Sequence, residues 1–284
     1  MQYKRYDDVR QFRREVMPVL LEDEAKNNLI LSLLTNAADA GGSDWLYATV
    51  SSGGNVALTA LWVKPFDLLL YETGSVRNDD TVAILAREMR KTGYDLPGVT
   101  ADSEPARMFA GLYCGGGTYH LHMKTITMKL DKPALCDKAP GSCRMLQPHD
   151  LTFVPYWEQA FSRDCRAHVF TVRENTQRLK TQLGKDIHFI WEDGVPVAQA
   201  VNGRDTPNGA VINHVYTPPA FRGHGYAKSV VAELSNTLLD RGRAFCCLIA
   251  DAANDVSCGL YHKLGYYDVC IQESIKFDNH GRIA

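Results

Sequence analysis

The stretch that most constrains this chain is residues 210–231. A strand-like run, Ala210 to Thr217, stops at Pro218-Pro219, and Arg222-Gly223-His224-Gly225-Tyr226-Ala227 then opens a helix. Strand, glycine-bearing turn and helix start together form a device for holding phosphate. Gly223 and Gly225 lack a Cβ, so the backbone there can take positive φ and approach a ligand closely. The first N–H groups of a helix have no intrahelical partner, and the helix dipole places partial positive charge at that end. Arg222 and Lys228 add formal charge. Ala227, Val230, Val231, Leu234 and Leu238 give the helix an apolar stripe, and Gly242 closes it.

The rest of the second half arranges itself around this unit. Residues 150–165 read as a helix, with Leu151, Val154, Trp157 and Phe161 three or four apart, and residues 176–183 as another. Residues 187–191 and 195–201 form a hairpin about Glu192-Asp193-Gly194. The run at 244–250 is apolar throughout, as expected of a central strand covered on both faces. A short helix at 255–264 ends at Gly265, and a last strand alternates Val269, Ile271, Ile275 and Phe277 with polar residues.

The first half reads in the same order: helices near residues 8–20 and 24–36, a hairpin at 45–62, a strand at 68–71, a helix at 81–90, an extended piece at 98–101, a helix at 105–112 and a strand at 119–130. Pro18 is expected to end or bend the first helix. The chain is therefore an α/β protein built as a tandem pseudo-repeat. Its expected parts are residues 1–131, a linker at 132–148 carrying Pro133, Pro140 and Pro148, and residues 149–284. Where the second half has its glycine turn, the first has Glu72 to Asp80, with one glycine and paired aspartates at the helix start. That sequence repels phosphate, so the first copy is expected to carry no ligand site.

Composition narrows the function. A net charge of −2 over 284 residues leaves no footprint for nucleic acid or an anionic membrane. No apolar stretch is long enough to span a bilayer, and the polar N-terminus lacks a signal-peptide core. Eight cysteines without a CxxC read as thiols of a reducing compartment, hence a cytoplasmic protein. His120 and His122 share a strand face but have no companion ligands at useful spacing, so no metal is expected.

At this point the second half resembles the GNAT-superfamily N-acetyltransferases. The signature [Q/R]-x-x-G-x-[G/A] between strand and helix is met by Arg222, Gly225 and Ala227, and a second signature downstream by Asn254, Ser257, Tyr261 and Gly265. The resemblance covers residues 150–277. The first half is similar to the degenerate partner domain of two-domain members.

The resemblance implies acetyl-CoA as cosubstrate, a primary amine of a small molecule or peptide as acceptor, and no metal. Val215, Tyr216 and Thr217 would pair with the pantetheine arm as with an added strand. Arg222, Gly223, His224, Gly225, Tyr226, Ala227 and Lys228 would receive the pyrophosphate. Asn254 and Ser257 complete the cosubstrate site, with Asn254 bonding the arm, and Tyr261 would protonate the leaving thiolate. Some members place a glutamate on the organising strand, whereas Gly209, Asn213 and His214 stand in that stretch here. The general base is then His214 or a water chain. Cys258 stands where this branch is expected to carry asparagine. Two other readings stay open: an acyl-CoA sensor without turnover, and a transferase using a different acyl-CoA. Nothing in the residues names the acceptor or the oligomeric state.

Overall fold

The computed structural model describes residues 1–40, 45–74 and 79–278. The chain divides into two compact units. One contains residues 1–127 together with 269–284, and the other residues 128–268.

The first unit runs β1 (Gln2–Tyr6), α1 (Val9–Glu22), α2 (Asn28–Ala40), β2 (Trp45–Ser52), β3 (Asn55–Val63), β4 (Leu68–Glu72), α3 (Asp79–Lys91), β5 (Gly98–Asp102), α4 (Ser103–Cys114) and the start of β6 (Tyr119–Leu130). Alternation along β2 sends Leu46, Ala48 and Val50 to one core with Leu85, Met89 and Phe109 of α3 and α4. It sends Tyr47 to the other, with Phe12, Val16, Leu31 and Leu34 of α1 and α2. Asp8 caps α1, its carboxylate accepting from the Arg10 N–H at 2.8 Å.

The helix α1 passes through Pro18 and does not end there. Pro18 is on the exposed side, while Phe12, Val16 and Leu20 on the far side are fully buried. Packing of that stripe outweighs the local cost.

The second unit runs β7 (Ser142–Met145), α5 (Val154–Asp164), α6 (Val172–Lys180), β8 (His188–Asp193), β9 (Val195–Asp205), β10 (Gly209–Tyr216), α7 (Tyr226–Asp240), β11 (Phe245–Asp251) and α8 (Asp255–Lys263). Its strands are ordered β11-β10-β9-β8-β7. Each unit thus repeats strand, two helices, hairpin, strand, helix, strand, helix; the opening strands β1 and β7 were not expected from the sequence. The apolar stripe of α7 is realised, with Val230, Val231 and Leu234 fully buried.

Two boundaries differ from expectation. Residues 132–148 are not a bare linker. Their backbone is strapped to α7, Ala134 N–H donating to Asn236 and Ala139 N–H to Ser229, and β7 pairs with β8 from Ser142↔Glu192 to Met145↔Phe189. Gly141, at φ 100°, permits this approach, because a Cβ there would stand 2.1 Å from the Glu192 carbonyl oxygen. A four-residue strand between prolines is too short to show a period. The last strand, β12 (Tyr267–Phe277), divides at Val269: its later residues pair antiparallel with β5 from Gln272↔Asp102 to Lys276↔Gly98 and belong to the first unit.

Candidate functional site

The site is built on β10, which departs from both its neighbours. With β11 it pairs in parallel only from Gly209↔Phe245 to Val211↔Cys247. Yet β10 continues to Tyr216 and β11 to Asp251. With β9 its register moves from Asn213↔Val201 to Tyr216↔Gln199, so His214 and Val215 face the single residue Ala200. This is a β-bulge, and His214 supports it at φ 50°, in the left-handed region. The later part of β10 is left with backbone unpaired towards β11. Just beyond, the Thr217 hydroxyl is buried without a hydrogen-bond partner.

The turn that follows has the expected geometry. Gly223 and Gly225 sit at φ 84° and 81°, and Gly225 precedes the first residue of α7 with no side-chain cap on the helix. Residues Arg222 to Gly225 are exposed. His224 faces the Arg222 carbonyl at 3.0 Å through Nδ1, which therefore carries the proton, and its ring stacks on Tyr226. The buried Tyr226 donates its hydroxyl to Asp193 at 2.6 Å. Lys228 and Ala227 are half-buried on the first turn of α7. Arg222 is not a free cation: Nη2 contacts Asp164 of α5 at 2.8 Å and Nε donates to the Thr217 carbonyl at 2.9 Å. It braces the turn against the end of β10 while keeping about half of its side chain exposed.

Downstream, Asn254 caps α8, its Oδ1 accepting from the Ser257 N–H at 3.0 Å. Tyr261, on the same helix, is 8 % exposed and packs edge-on against Tyr266. Burial, with the thiols of Cys165 and Cys258 nearby, pushes the Tyr261 phenol well above its ordinary value, so it holds its proton at neutral pH.

The helix α5 brings to β10 the aromatics Trp157 and Phe161, already expected on one helix face, and a carboxylate, Glu158, that the sequence reading did not single out. Phe153, Trp157 and Phe161, four apart, form one side: Phe153 and Trp157 rings are 4.8 Å apart, Trp157 lies 6.2 Å from Tyr216, and Phe161 lies 4.9 Å from the His214 ring. Beside them Glu158 is 8 % exposed. Its Oε2 is 2.6 Å from His214 Nδ1, off the ring N–H direction, and its Oε1 accepts from Gln199 at 2.7 Å. Gln199 in turn reaches His188, which also meets Gln182. Burial of Glu158 opposes its ionisation, but contact with His214 prevails and holds the carboxyl below its ordinary range. Burial pushes His188 down to about 4, so it is neutral. The signal for Glu158 was its spacing: four residues after Val154 and three before Phe161, a carboxylate on the apolar face of an amphipathic helix.

The remaining expectations fall outside this cluster. None of the eight cysteines forms a disulfide; Cys246 and Cys247 are buried as expected, and Cys165 is exposed. His120 meets Asp278 at 2.6 Å, and no group of three metal-binding side chains occurs among the described residues. No helix among them is long and apolar enough to cross a membrane. Ser75 to Asn78, the centre of the first copy's counterpart turn, lie outside the described residues.

Residues 194–274 match the FR47-like protein family. No curated protein matches the chain significantly. Among solved structures, a GCN5-related N-acetyltransferase from Sphaerobacter thermophilus superposes with a TM-score of 0.66 at 17 % identity, over 97 % of this chain and 95 % of that one. A GNAT-family acetyltransferase from Colwellia psychrerythraea gives 0.60 at 11 % identity, over 98 % and 99 %. A tandem GNAT protein from the clavulanic acid biosynthesis pathway gives 0.57 at 13 % identity, over 96 % and 97 %. The element order, the splayed β10 and these likenesses together establish that the chain has the fold of the GNAT acetyltransferases, with an FR47-like segment at its centre of interest.

Proposed function

We propose that the chain is an acetyl-CoA-dependent N-acetyltransferase acting on a primary amine of a small molecule or peptide. The observation that carries this reading is the early end of β10–β11 pairing at Val211, with both strands running on. Strand backbone left unpaired accepts an extended, amide-bearing ligand as it would another strand. The residues present fit such a ligand. Val215 to Thr217 offer the strand, with the orphaned Thr217 hydroxyl beside it. Arg222 to Lys228 offer the turn and uncapped helix end for the pyrophosphate. Asn254, capping α8 with its oxygen, turns its amide NH2 to the arm, and Ser257 closes that side.

The chemistry is direct attack. Acetyl-CoA brings an activated thioester, so the protein's work is positioning and proton management. A strand N–H near Val215 polarises the carbonyl. Tyr261, kept protonated by burial, supplies the proton that the departing sulfur takes up. His214 takes the proton of the incoming ammonium.

The first unit is proposed to hold no acyl-CoA. There β4 and β5 also part after Leu69↔Thr100, but Lys26 bridges the diverging ends. Its Nζ meets Asp102 of β5 at 2.6 Å and lies 5.1 Å from the ring centre of Tyr71 on β4.

The test is calorimetric titration of acetyl-CoA into the wild type and a Gly225→Trp variant. The indole strains the turn at φ 81° and stands where the pyrophosphate is to lie. Micromolar binding by the wild type, at least 10-fold weaker in the variant, is the expected outcome. A folded wild type that binds no acetyl-CoA would sink both the transferase and the sensor readings.

A further inference from the structure

The bulge in β10 turns His214 towards α5, and the pair it makes there has a polarity. The imidazole meets Glu158 through Nδ1, at 2.6 Å. That nitrogen is buried, yet a quarter of the side chain remains exposed. The exposure therefore falls on the other edge of the ring, which carries Nε2. Glu158 itself is fixed from behind. Gln199 donates to it and also to the His214 carbonyl. Because Gln199 spends its NH2 there, its Oε1 faces His188 Nε2 at 3.3 Å, and Gln182 presents its own Oε1 to His188 Nδ1 at 2.9 Å, so the neutral His188 donates its one N–H to an amide oxygen. Three residues, Gln199 of β9, His188 of β8 and Gln182 just after α6, thus back the one carboxylate that α5 sets against an edge of the imidazole.

A carboxylate against Nδ1 tolerates a proton on that nitrogen and leaves the lone pair on Nε2, the arrangement that makes an imidazole a base. We propose that Glu158 is a positioning residue for acyl transfer: it fixes the tautomer of His214 so that Nε2 takes a proton from a protonated primary amine, and its negative charge draws that cation to the bulge. The proposal rests on the acetyltransferase reading. It also supplies the acid that β10 lacks in its own sequence, through the neighbouring helix.

The protons balance as follows. The ammonium gives one proton to Nε2, and the neutral amine forms the C–N bond at the thioester carbonyl. The C–S bond breaks, and the sulfur takes the Tyr261 phenolic proton. The nitrogen returns its second proton to Tyr261. The His214 proton passes to solvent. The titratable groups facing Glu158 are His214 from β10 and His188 from β8; Gln199 from β9 is neutral, and Asp150, which is paired with Arg144, is sensed by His188.

The decisive variant is Glu158→Gln, assayed with acetyl-CoA against phenethylamine, putrescine and a lysine-containing tripeptide. We expect kcat to fall about 100-fold, the acidic limb of its pH profile to move to lower pH, and acetyl-CoA binding by calorimetry to be unchanged. An unchanged kcat and profile would overturn the proposal. A wild type that binds acetyl-CoA but turns over none of the amines would instead sink the transferase reading. A measurement on the wild type alone guards against a variant that fails to fold: nitrogen-15 NMR of the His214 ring at pH 8. The Nδ1–H tautomer is expected; the Nε2–H tautomer would overturn the proposal whatever the kinetics show.

Discussion

His188 shows how one buried side chain sets the response of the second unit to acid. It is held neutral, with its pKa pushed down to about 4 chiefly by burial, against an ordinary value of 6.5. Between those values the unfolded chain takes up a proton that the folded chain refuses. Stability from this residue is therefore complete above about pH 6.5 and is lost as the pH falls towards 4. The loss is on the order of 3 kcal/mol. Glu158 and Asp150, both held below their ordinary range, add their losses only at lower pH. Thermal melts from pH 7.5 to 4.5 should fall steeply in the wild type and less so in His188→Gln, which keeps amide partners for Gln199 and Gln182. Parallel curves would show that His188 does not govern the window. At this scale the sequence exposes type and spacing but not company. The glycines of the turn were legible because positive φ demands them. The engagement of Arg222 by Asp164, fifty-eight residues earlier, was not, since only the fold brings that carboxylate to the turn.

Elements in this chain do two jobs where they end, and α8 separates the two cleanly. Asn254 accepts the Ser257 N–H through Oδ1, an N-cap, and under the proposed function its NH2 serves the pantetheine arm. An aspartate keeps the accepting oxygen and removes the donor; an alanine removes both. Asn254→Ala should cost about 1 kcal/mol of stability, read from denaturant midpoints, while Asn254→Asp stays near wild type. Acetyl-CoA affinity should drop in both. A loss in Ala alone would assign Asn254 to the cap and take it out of the ligand site. Long periodic elements such as α7 and β2 were readable from pattern alone. The added-strand role of Val215 to Thr217 was implied by family resemblance, but the consequence of the bulge for His214 was not. Strict alternation would set that side chain by its neighbours, whereas a residue at φ 50° breaks the period and points it at α5. Short strands flanked by proline, such as β7, give no period to read.

At the scale of the whole molecule the repeat in sequence and the units in space do not coincide. Read as a string, residues 149–284 form the second copy, ending in its own last strand. In the fold, Val269 to Ala284 count with the first unit, and β12 pairs with β5 across Gln272↔Asp102 to Lys276↔Gly98. Ile275 and Phe277 lie in the core with Phe109 and Tyr113 of α4, and the fully buried Glu273 carboxylate takes a bidentate contact from Arg107. No sequence pattern distinguishes this from a strand kept within its own copy, because alternation states which residues are buried and not against what. The arrangement makes a directional prediction. Deleting residues 269–284 removes the C-terminal residues of the chain, yet the damage should appear near residue 100: a buried ladder partner is lost, two apolar side chains leave the core, and Arg107 loses its carboxylate. Hydrogen exchange followed by mass spectrometry should show Gly98–Asp102 and Ser103–Cys114 losing protection by orders of magnitude. The amides of β8, β9 and β10, whose partners all lie within residues 128–268, should keep theirs. If protection were lost instead in β10 and β11 while β5 held, the last strand would belong to the copy that encodes it. The first unit would then close without residues 269–284.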